Sequence, residues 1–153
     1  MLHLIQREAG TFVEKIMGAC RKMEGAYAFI IMTKDCMYAV RDKNGLRPLS
    51  LAFLEDGYCI SSETCAFDIV GAKFIRDIEP GEVVRIASDG VKSFHYTDQV
   101  QHKMCAMEYI YFARPDSSIE GINVHTSRRH AGMLLAKSDD VEADIVIGVP
   151  YSS

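Results

Sequence analysis

The residues with most chemistry to offer are five cysteines, Cys20, Cys36, Cys59, Cys65 and Cys105, and the hydroxyl-bearing run Tyr151-Ser152-Ser153. A thiolate can attack a carbonyl carbon or bind a metal. The cysteines are odd in number and irregularly spaced, and Met1–Arg7 shows no charged start followed by an apolar leader. That pattern favours reduced thiols over a disulfide framework. Cys20, Cys36, Cys59 and Cys65 read as small buried core residues. Cys105 with His95 and His102 would supply three ligands of a zinc site, but no second Cys-x-x-Cys pair completes it. His125 and His130 do not share a helix face and read as surface residues. Ser152 and Ser153 follow an apolar run, where backbone amides and small hydroxyls at a strand-to-helix junction can cradle an anion. The same serines would serve equally well as a plain helix cap. Asp139-Asp140 precedes that run and reads as a solvated loop.

Those groups need a scaffold. Thr11-x-x-Glu14 is a capping box, and Phe12, Val13, Ile16, Met17 and Cys20 follow at helical spacing, which predicts a first helix stopping near Gly25. Nothing before it reads as a strand. Short strands are expected over 26–32, 36–41, 49–54, 58–61, 73–78, 83–87 and 91–95, with a short helix over 63–70. Glu55-Asp-Gly57, Glu79-Pro-Gly81 and Ser88-Asp-Gly90 are turn signals, and Asn44-Gly45 predicts a hairpin. Pro48 suits an edge strand. Tight spacing of the strands implies antiparallel sheet.

Beyond Tyr96 the text changes. Thr97–Met104 is a polar connector, Ala106–Phe112 reads as a strand, and Pro115–Gly121 is turn-rich. Val124–Lys137 predicts a helix burying Ala131, Leu134 and Leu135. Ala143–Val149 is β-branched and reads as a buried parallel strand. The 153 residues are 48% hydrophobic with a net charge of −4. That composition fits a folded protein and gives no footprint for nucleic acid. No apolar run approaches the ~20 residues that span a bilayer.

Three stretches carry a family resemblance: Arg41-Asp-Lys-Asn-Gly-Leu-Arg-Pro-Leu49, Ser61-Ser-Glu-Thr-Cys-Ala-Phe67 and Cys105-Ala-Met-Glu-Tyr-Ile-Tyr-Phe-Ala-Arg-Pro-Asp-Ser117, with Gly25-Ala-Tyr-Ala-Phe29 upstream. Their order resembles the amidophosphoribosyltransferase (glutamine phosphoribosylpyrophosphate amidotransferase) family. Other glutamine-dependent enzymes, such as glucosamine-phosphate synthase and asparagine synthetase, share parts of the first two but do not continue into the third.

The resemblance implies an α+β chain. Residues 1–96 would be the later part of an N-terminal-nucleophile (Ntn) glutaminase αββα domain. Residues 97–122 would be an interdomain seam, and 123–153 the start of an α/β type I phosphoribosyltransferase domain. It implies an internal piece of a cytoplasmic, homo-oligomeric enzyme. That enzyme would make 5-phosphoribosylamine from glutamine and phosphoribosyl pyrophosphate, the first step of purine synthesis, without nucleic-acid or membrane partners. The catalytic cysteine of such glutaminases stands at the mature N-terminus, so no residue here is expected to be catalytic and the chain is expected to be inactive alone. Cys105 matches a ligand of the 4Fe–4S cluster carried by one branch of the family. Tyr151, Ser152 and Ser153 match its pyrophosphate loop, although the family usually has an acidic residue where Tyr151 stands. The cluster and Mg2+ are expected in the full-length enzyme, not in this chain. The family commonly reads Asp-Pro-Asn-Gly where this chain has Asp42-Lys-Asn-Gly45, a small loss of turn rigidity. Two alternatives remain: a piece of another Ntn glutamine amidotransferase, or a truncated non-enzymatic interaction module.

Overall fold

The computed structural model describes residues 1–148. Two helices open the chain, α1 (Leu2–Arg7) and α2 (Phe12–Arg21). Helix α1 was not legible in the sequence, since a single turn and a half shows little periodicity. The capping box of α2 forms as expected: the Thr11 amide donates to Glu14 Oε2 at 2.7 Å and the Glu14 amide to Thr11 Oγ1 at 3.5 Å. The helix ends at Arg21, short of Gly25, which instead turns the chain into the sheet with φ +97°.

Seven strands follow in two sheets. The first has the order β1 (Ala28–Met32), β2 (Cys36–Arg41), β6 (Glu82–Ala87) and β7 (Gly90–His95). The second has the order β4 (Gly57–Ser61), β3 (Ser50–Leu54) and β5 (Lys73–Asp77), and helix α3 (Cys65–Val70) lies between β4 and β5 in sequence. All the pairings are antiparallel.

Side-chain alternation builds the layers. On one face of the first sheet, Tyr38, Val40 and Val83 pack against Ile5, Ile16, Ala19 and Cys20 of the opening helices. On the other face, Ala39 and Val84 meet Leu49, Ile60 and Ile78 from the second sheet's side. The far face of that sheet uses Ala52 and Cys59 to hold Phe67 of α3. The order is therefore helices, sheet, sheet, helix. An ion pair joins the sheets: both terminal nitrogens of the partly exposed Arg76 guanidinium reach the buried Glu82, at 2.6 and 2.8 Å. Burial alone would push the Glu82 carboxyl up, but Arg76, Ser93 and the Glu79 amide together hold it below the ordinary glutamate value.

The expected hairpin at Asn44-Gly45 does not form. Strand β2 pairs with β1 and β6, whereas β3 pairs with β4 and β5, so residues 42–49 carry the chain from one sheet to the other. Pro48 stands in this link, ahead of a central strand instead of within an edge strand.

The C-terminal part is smaller. Residues 106–112 are helical, with a π-helical turn over Glu108–Phe112, and not the expected strand. Among the described residues no neighbouring strand offers them a ladder, and a helical turn satisfies the backbone within the segment. A two-stranded hairpin, β8 (Ser118–Ile119) and β9 (Ile122–Asn123), leads into α4 (Val124–Lys137), capped by Asn123 Oδ1, which accepts from the Thr126 amide at 3.0 Å. The bounds of α4 match expectation but its buried face does not. Ala131, Leu134 and Leu135 are exposed, and Val124 is the buried residue. Residues 143–148 form no strand: Ile145, Val146 and Ile147 are exposed, Val146 at 91%. A lone extended segment has no partner for its amides and carbonyls.

Exposed apolar side chains therefore sit on α4, on 145–147 and on the unpaired edge of β1, where Met32 is 76% exposed. Such patches promote association. Purified residues 1–153 are expected to run as oligomers or aggregates in analytical ultracentrifugation. A clean monomer with a sharp two-state melt would contradict this reading of those faces.

Candidate functional site at the seam

The site is built around two charged residues that the fold has sealed away. Arg41 ends β2 and Asp42 follows it, and both are buried, Arg41 at 1% exposure. The Arg41 guanidinium donates to the carbonyls of Arg47 (2.9 Å), Ile78 (2.6 Å) and Gly45 (3.0 Å), and to Glu120 Oε1 (2.7 Å). Asp42 faces the other way. Its carboxylate accepts from the amides of Asn44 (2.9 Å), Leu46 (3.0 Å) and Tyr27 (3.4 Å). Asn44-Gly45 is thus wound around Asp42 as a side-chain-capped turn. Gly45 is required there: φ is +61°, and a Cβ would lie 2.7 Å from Pro80 Cγ and 3.2 Å from Arg41 Nη2.

Tyrosines close the hub. Tyr27 and Tyr96 share a hydroxyl–hydroxyl bond at 2.8 Å, and the Tyr96 hydroxyl donates to the Arg41 carbonyl at 3.1 Å. Tyr27 belongs to the Gly25–Phe29 stretch, so the upstream signature ends at the same point.

The third signature meets the first, and the second meets the third. Residues 101–105 run beside the link, with the amides of Gln101, Lys103 and Cys105 donating to the carbonyls of Lys43, Asn44 and Leu46. Glu63 Oε2 accepts from the Arg114 amide (2.7 Å) and the Ser117 hydroxyl (3.0 Å). Thr64 Oγ1 accepts from the Ser118 amide at 2.8 Å. Arg47 pairs with the buried Glu108 at 2.7 Å and lies 5.3 Å from the centre of the Phe112 ring. Arg128 of α4 donates to the carbonyls of Tyr109 and Ala113, at 2.7 and 2.8 Å, and so caps the π-helical turn. Between these groups lies an open cleft of about 480 Å³ whose lining includes Tyr27, Phe29, Arg47, Ser62, Glu63 and Glu108.

The residues singled out for chemistry are arranged differently. Cys105 is half-buried, and its amide donates to the Leu46 carbonyl of the link. Its thiol is free, as are those of the other four cysteines. Cys20 and Cys65 are buried as expected, whereas Cys36 and Cys59 are partly exposed. Burial pushes the Cys20 thiol up to about 11, against the smaller opposing effects of Tyr27 and Arg21, which disfavours the thiolate. The zinc alternative is not assembled: among the described residues no three His, Cys, Asp or Glu side chains gather, and His95 bonds Glu79 at 3.1 Å. His125 and His130 are exposed. Tyr151, Ser152 and Ser153 lie outside the described residues.

Sequence reading missed Arg41, Asp42, Glu63 and Glu120 as partners. The one available signal was charge following an apolar strand at Arg41-Asp42.

By fold, this layered unit with its docked hairpin and helix is that of part of an enzyme already solved. It superposes with a TM-score of 0.95 and 49% identity on a structure described as the allosteric regulatory enzyme of purine biosynthesis, over 97% of this chain and 32% of that one. It superposes at 0.96 on the Bacillus subtilis glutamine phosphoribosylpyrophosphate amidotransferase complexed with ADP and GMP, with 49% identity over 99% of this chain and 34% of that one. By sequence, the chain is homologous over its whole length to part of amidophosphoribosyltransferase: it is 49% identical to the Bacillus subtilis protein of that name and 48% identical to that of Staphylococcus aureus. It spans about a third of the length of these relatives. No protein-family model matches the chain.

Asp42→Ala strips the acceptor from three amides, and each buried donor left unpaired costs about 1–3 kcal/mol. The expected result is a loss above about 3 kcal/mol, seen as a lower urea midpoint or no folded product, with Asp42→Asn milder. An Asp42→Ala chain with the wild-type midpoint would remove Asp42 from this role.

Proposed function

We propose that this chain is the stretch of an amidophosphoribosyltransferase in which the glutaminase part gives way to the transferase part. Residues 1–96 are then the later portion of an Ntn glutaminase domain, which the helix–sheet–sheet–helix layering supports. Residues 97–122 are the seam, and 123–153 begin a type I phosphoribosyltransferase domain. The observation that carries this reading is that the three signature stretches, bonded to one another across as many as 61 residues of chain, converge in one junction.

In the whole enzyme a cysteine thiolate would attack the glutamine amide and release ammonia. The ammonia would then replace pyrophosphate at C1 of phosphoribosyl pyrophosphate, giving 5-phosphoribosylamine in the first step of purine synthesis. The residues described here position those reactions. The enzyme would work in the cytoplasm as a homo-oligomer, with Mg2+ accompanying the pyrophosphate group and Tyr151, Ser152 and Ser153 in the loop that contacts it.

Cys105 fits one corner of a 4Fe–4S cluster. Its sulfur is a free, partly exposed thiol on a segment whose backbone is fixed by Leu46. A cluster takes four thiolates. Cys20, Cys36, Cys59 and Cys65 do not gather around Cys105, so three ligands would come from the rest of the full-length enzyme. Bound there, the cluster would tie the seam to distant parts of the chain.

Two outcomes are expected. Purified residues 1–153 release no glutamate from glutamine and form no phosphoribosylamine; turnover by this chain would overturn the assignment of its cysteines as non-nucleophilic. In the full-length enzyme, Cys105→Ser should lower bound iron and the visible absorbance of the cluster. Unchanged iron content would show that Cys105 is not a ligand.

A further inference from the structure

Arg41 brings a positive charge into the core, and three of its four bonds go to neutral carbonyls. Carbonyls satisfy its protons but leave its charge uncompensated. Asp42, next in sequence, is committed to backbone amides. The carboxylate that pairs with Arg41 belongs to Glu120, 79 residues away and 30% exposed.

Glu120 is an odd choice for its place. It and Gly121 are the two turn residues between Ile119 and Ile122, with φ values of +50° and +75°. Two successive positive φ angles in a tight hairpin favour Asn-Gly, whereas glutamate is strained in that region. Turn chemistry therefore does not select Glu120, but the charge of Arg41 does. The Glu120 backbone is pinned as well, its amide donating to Asp77 Oδ2 at 3.1 Å while Ser50 donates to Asp77 Oδ1 at 2.6 Å. Position passes onward from the hairpin: Ile119 and Val124 are buried together, and the Val124 amide donates to the Ser117 carbonyl at 2.9 Å. The start of α4 is set by where Glu120 sits.

We propose that Glu120 is a positioning residue: by neutralising Arg41 it holds the seam hairpin and α4 in register with the two sheets, and so governs how much of the ammonia released from glutamine is used in the second half-reaction. The coupling part of this proposal rests on the function proposed above.

The test uses the full-length enzyme and two variants. Glu120→Gln keeps the length and an acceptor but removes the charge. Glu120→Asn suits the turn better but cannot reach Arg41. For each, glutamate release, glutamine-dependent synthesis, ammonia-dependent synthesis and melting temperature are measured. Both variants are expected to release glutamate and to use added ammonia as the wild type does. Glutamine-dependent synthesis should fall at least about fivefold, the low end of coupling between sites, so that glutamate is released in excess of product. Both should also melt below the wild type. Glu120→Asn melting at or above the wild type with intact coupling would overturn the proposal in favour of a plain turn. Proportional loss of all three activities would overturn it too, showing a role in folding alone. A wild-type enzyme with neither synthetic activity would sink the enzymatic reading and the coupling claim with it, while the melting order of the variants would still decide the electrostatic one.

Discussion

Arg41 carries a full positive charge into a place almost without water, and Asp42 beside it carries a negative one. Taking such charges out of water costs several kcal/mol per ion unless bonds and opposite charge compensate. The two residues are compensated separately. Asp42 is wrapped by backbone amides from its own link and from Tyr27, while Arg41 collects two carbonyls from that link, the carbonyl of Ile78 and the carboxylate of Glu120. The link between the sheets winds around these charges, so its path is dictated by them as much as by turn propensity. Gly45 follows from the same geometry, because any larger residue would collide with the guanidinium or with Pro80.

From this hub the seam is assembled by side chains reaching for backbone. Glu63 and Thr64 take the amides of Arg114 and Ser118, and Arg128 takes the carbonyls of Tyr109 and Ala113. Such bonds fix orientation more than they add net stability, since each replaces a bond to water. The motifs that mark the family are therefore motifs of a joint. They hold together a layered sheet unit and a helix whose Leu134 and Leu135 are exposed.

Much of the layered unit was legible in the sequence. The capping box at Thr11 and Glu14, the strand Cys36–Arg41 and the helix Val124–Lys137 follow from local periodicity and capping, and they stand where expected. Local patterns failed where distant partners decide. Asn44-Gly45 looks like a hairpin until Asp42 claims its amides. Glu108–Phe112 looks like a strand until Arg47 and Arg128 hold it as a helical turn. Leu134 and Leu135 look buried because periodicity cannot say whether a covering surface is present. The Arg41–Glu120 pair was invisible for the same reason, as nothing local connects residues 79 apart. Cys105 was read from resemblance, and what the structure adds is the bond from its amide to the Leu46 carbonyl.

Native-state hydrogen exchange tests most directly whether the buried charges govern the contacts between the sheets and the 105–120 segment. Segments that depend on one constraint open as one cooperative unit. The amides of Leu46, held by Asp42, and of Ser118 and Glu120, held across the seam, should exchange with a common opening free energy and a common denaturant dependence. Free exchange at Ser118 and Glu120 while Leu46 stays protected would show that the hub and the seam hold independently, and would contradict the account.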